Sequence, residues 1–533
     1  MNKLDEVTLD LHDIQGNIVK AYGRYDYSLG RYVLFEITRG ADGRSFIASL
    51  AGRVTTAAPW GRGASERRPA STLNVALTFE GLKQLGLPQK SLLTFPPEFA
   101  TGMRGRCEIL GDDGPSAPER WDPVWQDPAR IHVLVSINAG DADHLEQAYV
   151  WLKELTDRYR GGVRCLTGHR GPKSREDLPY QSAAAIVVDG VPSPKEHFGY
   201  NDGISNPYFK GAGEHPENLV GGGKVTRRDA STHAGWEPLE TGEFLLGYKD
   251  EAFELPAAPM PPLLGRNGTF VAFRKLHQNV GAFHRFLDAM GSEFPGGKEM
   301  LAAKLAGRWR NGAPITSFRT EAEASELAQR WAAAKLKVQK TPPGPAREAA
   351  KAEFAKVNLG FVAFDYNKDL PGAGCPVGAH VRRANPRGAL EFGQALAFET
   401  RGALVNRRRI LRRGLPYGSV DDPTSDAGEH GIIFMALGAS IRRQFEFVQQ
   451  QWMNYGNDFR LGNDKDAILG NHGMSASGRG DGRMVIEAEP GSGKPPFLCG
   501  GMPRFVETRG GEYFFIPSVT ALRLIGEGMV DPT

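Results

Sequence analysis

The chain has 533 residues, 40 % of them apolar and 24 % charged, and its 65 basic and 62 acidic side chains leave a net charge of +3. That length accommodates two domains and that composition is globular; a disordered polyelectrolyte is excluded, and so is a protein built on one strong basic field. No apolar run approaches the roughly 18 residues of a membrane-spanning helix. The start at 1–13 mixes acidic and apolar residues and lacks the basic-then-apolar pattern of a secretory leader, so a cytoplasmic location and no membrane partner are expected. Cys107, Cys165, Cys375 and Cys499 lie far apart and in no CxxC pair. This argues against a disulfide framework, a zinc ribbon and thiol attachment of a prosthetic group.

In chain order, residues 31–38 (RYVLFEIT) have strand-like patterning and 45–54 have helical patterning. Residues 71–79 read as a strand followed by a short helix at 80–85, and 130–137 (RIHVLVSI) as a strand leading into a helix at 141–155. A second set begins at 268–276 (GTFVAFRKL), a strand running into a helix over 278–290, and continues with a strand at 431–436 and a helix at 440–453. Between the sets, 208–262 is rich in Gly, Pro and charge and reads as a long connection. Residues 321–355, rich in Ala, Lys, Glu and Arg around Thr341-Pro342-Pro343-Gly344, read as a surface helical hairpin. Neither stretch suggests chemistry. Strands and helices that alternate without long apolar strands predict an α+β fold of two similar modules rather than a doubly wound sheet.

Common nucleotide and hydrolase chemistry finds little support. Gly221-Gly222-Gly223-Lys224 and Gly491-Ser492-Gly493-Lys494 lack the first Gly and the Ser/Thr of a phosphate loop, HExxH and GxSxG are absent, and the histidines show no metal-ligand spacing. Three segments remain. In His197-Phe198-Gly199-Tyr200-Asn201-Asp202-Gly203-Ile204 the glycines let the backbone bend close to a flat ligand and leave Asp202 projecting. The plainer alternative is a helix-capping turn, and the same GxxDG pattern recurs at 478–482 in a polar loop. In Gly378-Ala379-His380-Val381-Arg382-Arg383-Ala384-Asn385-Pro386-Arg387, His380 offers the neutral nitrogen of a haem-iron ligand, and Arg382 and Arg387 could pair with propionates. Taken alone, His380 reads more simply as a hydrogen-bonded structural histidine. The third segment, Arg409-Ile410-Leu411-Arg412-Arg413-Gly414-Leu415-Pro416-Tyr417-Gly418, overlaps the basic run 407–413 and offers a fixed positive charge ahead of the apolar Ile432-Ile433-Phe434-Met435. Its alternatives are a solvated basic face, favoured in a chain of balanced charge, and a nucleic-acid contact.

Together these segments resemble the dye-decolorizing peroxidase family, and further stretches match it in the same order. They are Asp13-Ile14-Gln15-Gly16-Asn17-Ile18, Leu264-Gly265-Arg266-Asn267-Gly268-Thr269-Phe270, Gln444-Phe445-Glu446-Phe447 and Gly511-Glu512-Tyr513-Phe514-Phe515-Ile516. Length and insertions resemble the larger, elaborated members. The resemblance implies two ferredoxin-like α+β modules of the dimeric α+β barrel type. The first, 1–207, ends in the GxxDG segment; 208–262 is a connecting insertion; 263–533 binds haem and carries the helical insertion at about 321–355. It further implies one b-type haem per chain with its iron on His380, Arg382 and Arg387 at the propionates, Gly203, Ile432 and Phe434 around it, and Asp466 as acidic partner of the histidine. Asp202 and Arg412 are implied as the catalytic pair, using hydrogen peroxide to oxidise organic donors such as dyes and phenols through a ferryl intermediate. Acidic conditions should favour this, because an aspartate stays ionised at lower pH than a histidine. Gly414 departs from members that have Asn there. The alternative is a haem storage or delivery protein with little turnover; no nucleic-acid partner is expected, and a homo-oligomer is left open.

Overall fold

The computed structural model describes residues 7–61, 67–172, 175–213, 218–225, 235–391, 402–475 and 479–529. Residues 1–6 of the start read above, parts of the 208–262 connection, and Gly478 of the second GxxDG pattern lie outside them.

The first half runs β1 (Leu29–Ile37), α1 (Gly40–Ala51), β2 (Ser71–Leu77), β3 (Val133–Ala139), α2 (Ala142–Arg158) and β4 (Val163–Cys165), followed by β5 (Gln181–Ala184). The second repeats that path with β6 (Thr269–Gln278), α3 (Val280–Glu293), β7 (Leu411–Gly418), β8 (His430–Gly438), a helical segment over 442–453, and β9 (Val506–Ile516). The strands form one antiparallel sheet in the order β7-β8-β6-β9-β2-β3-β1-β4, with β5 also on β1. Each half therefore places its strands second, third, first, fourth, the arrangement of a ferredoxin-like module. At the junction only Phe515 of β9 pairs with Leu77 of β2. Packing joins the halves instead, because Leu34, Val75 and Ile137 share one core with Phe273, Leu437 and Phe514. Each such buried side chain is worth about 1.5–3 kcal/mol. A Cβ placed on Gly30 of β1 would lie 3.5 Å from Leu415 Cδ1 of β7, so the sheet curls until its two ends approach.

Differences from the sequence reading are local. β7 carries no strand signal in the sequence, since Arg412, Arg413, Gly414 and Pro416 interrupt its apolar residues; yet Leu411, Leu415 and Tyr417 are buried, and Pro416 is tolerated near the end of the strand order. The helix expected at 440–453 winds more loosely, with Glu446 N–H donating to Ile441 O at 2.9 Å and Asn454 N–H to Gln449 O at 3.1 Å, five residues back in each case. The hairpin at 321–355 is present as α4 (Glu321–Lys340) and α5 (Pro345–Val362), its first helix capped by a reciprocal Thr320–Glu323 box. Among the described residues no helix is long and apolar enough to cross a membrane.

Candidate active site

A cavity of about 290 Å³ lies against the second module. Alternation along β8 points Ile432 and Phe434 into it and Ile433 and Met435 into the core; Leu276 and Gln278 of β6 and Val506 and Thr508 of β9 extend the same wall. His380, Val381 and Ala384 of a short helix, α6 (His380–Ala384), also line it, as do Asp202, Ile204 and Ser205.

Asp202 reaches the cavity from a bend. Gly203 takes φ +79 beside it and donates its N–H to Asp202 Oδ1, while Asp202 N–H donates to Pro194 O at 2.9 Å. A Cβ on Gly203 would meet nothing within 4 Å, so the demand for glycine is conformational. Arg412 enters from β7 and donates Nη1–H to Asp202 Oδ1 at 3.3 Å and Nη2–H to Ile204 O at 2.6 Å. Its backbone N–H donates to Asn206 Oδ1 at 3.0 Å, tying the strand to the same bend. Asp481 of the second GxxDG pattern accepts from Gly473 N–H instead and does not line the cavity.

His380 is backed by a fully buried carboxylate. Its Nδ1 lies 3.1 Å from Asp466 Oδ1 and 3.2 Å from Oδ2. Asp466 Oδ1 also accepts Ile468 N–H at 2.9 Å and Leu469 N–H at 2.7 Å. Burial works against both charges, but the imidazole and the carboxylate stabilise each other, leaving His380 above and Asp466 below their ordinary values. An ionised carboxylate only accepts, so Nδ1 carries a proton, and in the neutral ring Nε2 is then the nitrogen with the free lone pair.

Of the two arginines expected at propionates, Arg382 is misplaced. At about 100° per helical residue, a position two beyond His380 points to the far side of α6. Arg382 is 1 % exposed and donates to the carbonyls of Asp369, Cys375 and Leu370. Arg387 does line the cavity, donating to Val362 O, Phe364 O and Ser205 Oγ. Beyond Arg274 and Arg504, which pair with Asp112 and Asp113, two further arginines of the cavity wall have no place in the expected site. Arg308 donates to Gly312 O and Phe361 O, and Arg409 to the carbonyls of Gly221, Gly222 and Gly223. The connection and the hairpin, which suggested no chemistry, thus supply the carbonyls that orient these groups. Among the described residues none of the three guanidiniums pairs with a carboxylate. Burial first, then neighbouring arginines, pulls Arg308 down to about 9 and Arg387 and Arg409 to about 10. The basic run is no solvated face either: Arg407 pairs with Asp250 at 2.8 Å and Arg413 donates to Asn17 O and Ile18 O. No motif marks Arg308. Arg409 stood inside a run already noticed, and only the fold separates its task from its neighbours'.

A family model, the DyP dimeric alpha+beta barrel domain, matches residues 13–171. The dye-decolorizing peroxidase msp1 of Mycetinis scorodonius is 25 % identical over 97 % of this chain and 88 % of its own. The multifunctional dye peroxidase DyP2 of an Amycolatopsis species is 26 % identical over 97 % of this chain and 96 % of its own. Among solved structures, an ancestral D-type dye decolorizing peroxidase superimposes with a TM-score of 0.66 at 25 % identity, covering 97 % of this chain and 99 % of that one. The likeness runs the length of both chains rather than through one module, so this chain is similar throughout to dye-decolorizing peroxidases.

Proposed function

We propose that this protein is a peroxidase that uses hydrogen peroxide to oxidise organic donors such as dyes and phenols, with one b-type haem held in the cavity and its iron on Nε2 of His380. The residues present fit that group. Arg308, Arg387 and Arg409 are buried cations at the cavity that have carbonyl partners but no carboxylate among the described residues, which suits a ligand bearing two carboxylates. Apolar Ile432, Phe434, Val381 and Ile468 suit its flat faces, and His380 presents a lone pair oriented by Asp466. When bound, haem supplies the iron that holds a peroxide oxygen and the electrons that cleave the O–O bond.

The chain's own residues do the rest. The Asp202 carboxylate accepts a proton from one peroxide oxygen and returns it to the other, which then departs as water; positioned proton transfer of this kind contributes roughly 10²–10⁴-fold. Arg412, 3.3 Å from that carboxylate, stabilises negative charge as it gathers on the departing oxygen. Ile432 and Phe434 make the cavity wall beside both groups apolar. The Asp202–Arg412 contact at the cavity of His380 is the observation that carries this reading, since a haem carrier has no work for it. The absorption spectrum of the purified protein tests it. A Soret band that shifts within the mixing time of one equivalent of peroxide, and returns on adding a phenol, is expected; a haem-loaded protein whose spectrum ignores peroxide overturns it.

A further inference from the structure

Glu196 is a carboxylate in the cavity wall to which the mechanism above gives no task. It is 9 % exposed. Oε1 accepts Tyr200 N–H at 2.8 Å, and Oε2 accepts Phe198 N–H at 2.8 Å and the Gln278 amide of β6. The backbone closes around it, with Glu196 N–H donating to Tyr200 O at 3.0 Å and Gly199 N–H to Glu196 O at 2.8 Å. From outside, Arg310 donates to Phe198 O, and Asn201 N–H donates to Arg310 O at 3.0 Å. The chain then passes directly to Asp202, whose side chain is 56 % exposed and, among the described residues, has Arg412 as its ion-pair partner. Asp202 therefore inherits its place from the loop, and the loop is gripped from within by Glu196.

Stability does not account for this carboxylate. Among the described residues no cation forms an ion pair with it. The charged groups that act on it are Asp202, of like sign, and Arg310, already committed to Glu299 at 2.8 Å; Tyr200 is held protonated by burial, and His197 turns to Tyr417 O. Burial, and next the charge of Asp202, push Glu196 above the usual carboxylate range against its hydrogen bonds. A carboxyl raised in the folded state favours folding while protonated, and that contribution is lost as pH rises. The ionised form carries a desolvation cost that its three hydrogen bonds do not fully offset.

We propose that Glu196 is a positioning residue for the peroxide reaction: by accepting the N–H groups of Phe198 and Tyr200 it fixes the bend that sets the Asp202 carboxylate beside Arg412. This rests on the role given to Asp202. When Glu196 is protonated, an O–H donor confronts one of three N–H donors, so an acceptor is lost and the bend loosens; Glu196→Gln makes that conflict permanent.

The test is stopped-flow reaction of the haem-loaded protein with hydrogen peroxide across the acid and neutral range. Glu196→Gln should keep the haem spectrum and the KM for donors, lose roughly 10–100-fold in the second-order rate constant, and lack one ionisation present in the wild-type pH profile. Gln278→Leu removes the side-chain donor found among the described residues and should move that ionisation to higher pH; it is read in the same way if Glu196→Gln fails to fold. Rates and profiles equal to wild type in the variants overturn the proposal, as does a fall in Tm with an unchanged profile. Asp202→Asn separates the failures. If it alone is impaired, Glu196 has no such role; if it too reacts like wild type, the reading of Asp202 is wrong.

Discussion

The two acid–base pairs at the cavity, His380–Asp466 and Asp202–Arg412, follow opposite plans. Asp466 is 0 % exposed and accepts from an imidazole and two backbone N–H groups; Asp202 is 56 % exposed and meets one guanidinium at 3.3 Å. A ligand-holding imidazole gains from a partner that cannot move or change protonation, whereas a group that must take up and release a proton gains from access to solvent and from freedom to change charge. On the function proposed above, the same residue type, aspartate, is a fixed brace on one side and a proton carrier on the other, distinguished by environment.

The sharpest way to break this comparison is to remove the holder. His380→Ala should abolish stable haem binding, seen as loss of the Soret band after gel filtration; an unchanged spectrum would end its assignment as ligand. Next comes the carrier: Asp202→Asn should slow the reaction with peroxide by roughly 10²–10⁴-fold while haem loading stays normal. Arg412→Leu should cost roughly 10²–10³-fold, and a larger loss than Asp202→Asn would make charge stabilisation, not proton transfer, the main contribution of that side. Asp466→Asn should act on holding rather than on turnover, weakening haem affinity by roughly 10–100-fold in a transfer assay to a competing haem acceptor. The smallest effect lies behind the walls, in acid stability. Burial holds His197 and His277 at about 4 and His169 at about 3, below the ordinary histidine value. A depressed histidine stabilises the fold above its ordinary pKa and that stability drains as pH falls, by about 1.4 kcal/mol per pH unit for each group between ~6.5 and the folded value. Glu512, pushed up to about 7 by burial, works the other way and loses its contribution as pH rises. Tm of the haem-free protein should therefore fall between pH ~6.5 and ~4; a flat curve would mean these imidazoles are hydrated.

Residues that sit in a periodic or repeated pattern were legible beforehand. β1, β3, β6 and β8 carry regular apolar signals and were placed within a few residues, and the repeated strand–helix order announced the two modules. Arg412 meets Asp202 and His380 meets Asp466, the two pairings that the resemblance implies. What stayed hidden depends on direction. Arg382 sits in the right motif but on the wrong side of α6, while Arg308 and Glu196 belong to no pattern and acquire meaning only where chain segments far apart in sequence meet. β7 was hidden by its own chemistry, since the arginine that serves the cavity also spoils the strand signal.

The α4–α5 hairpin has one practical corollary. Its root supplies the Phe361 and Val362 carbonyls that aim Arg308 and Arg387, whereas its turn at 341–344 stands at the end of a 20-residue helix, about 30 Å along its axis. A linker to a bead or an electrode grafted at that tip would sit about 30 Å from those carbonyls, while trimming the hairpin from its base would let go of both guanidiniums.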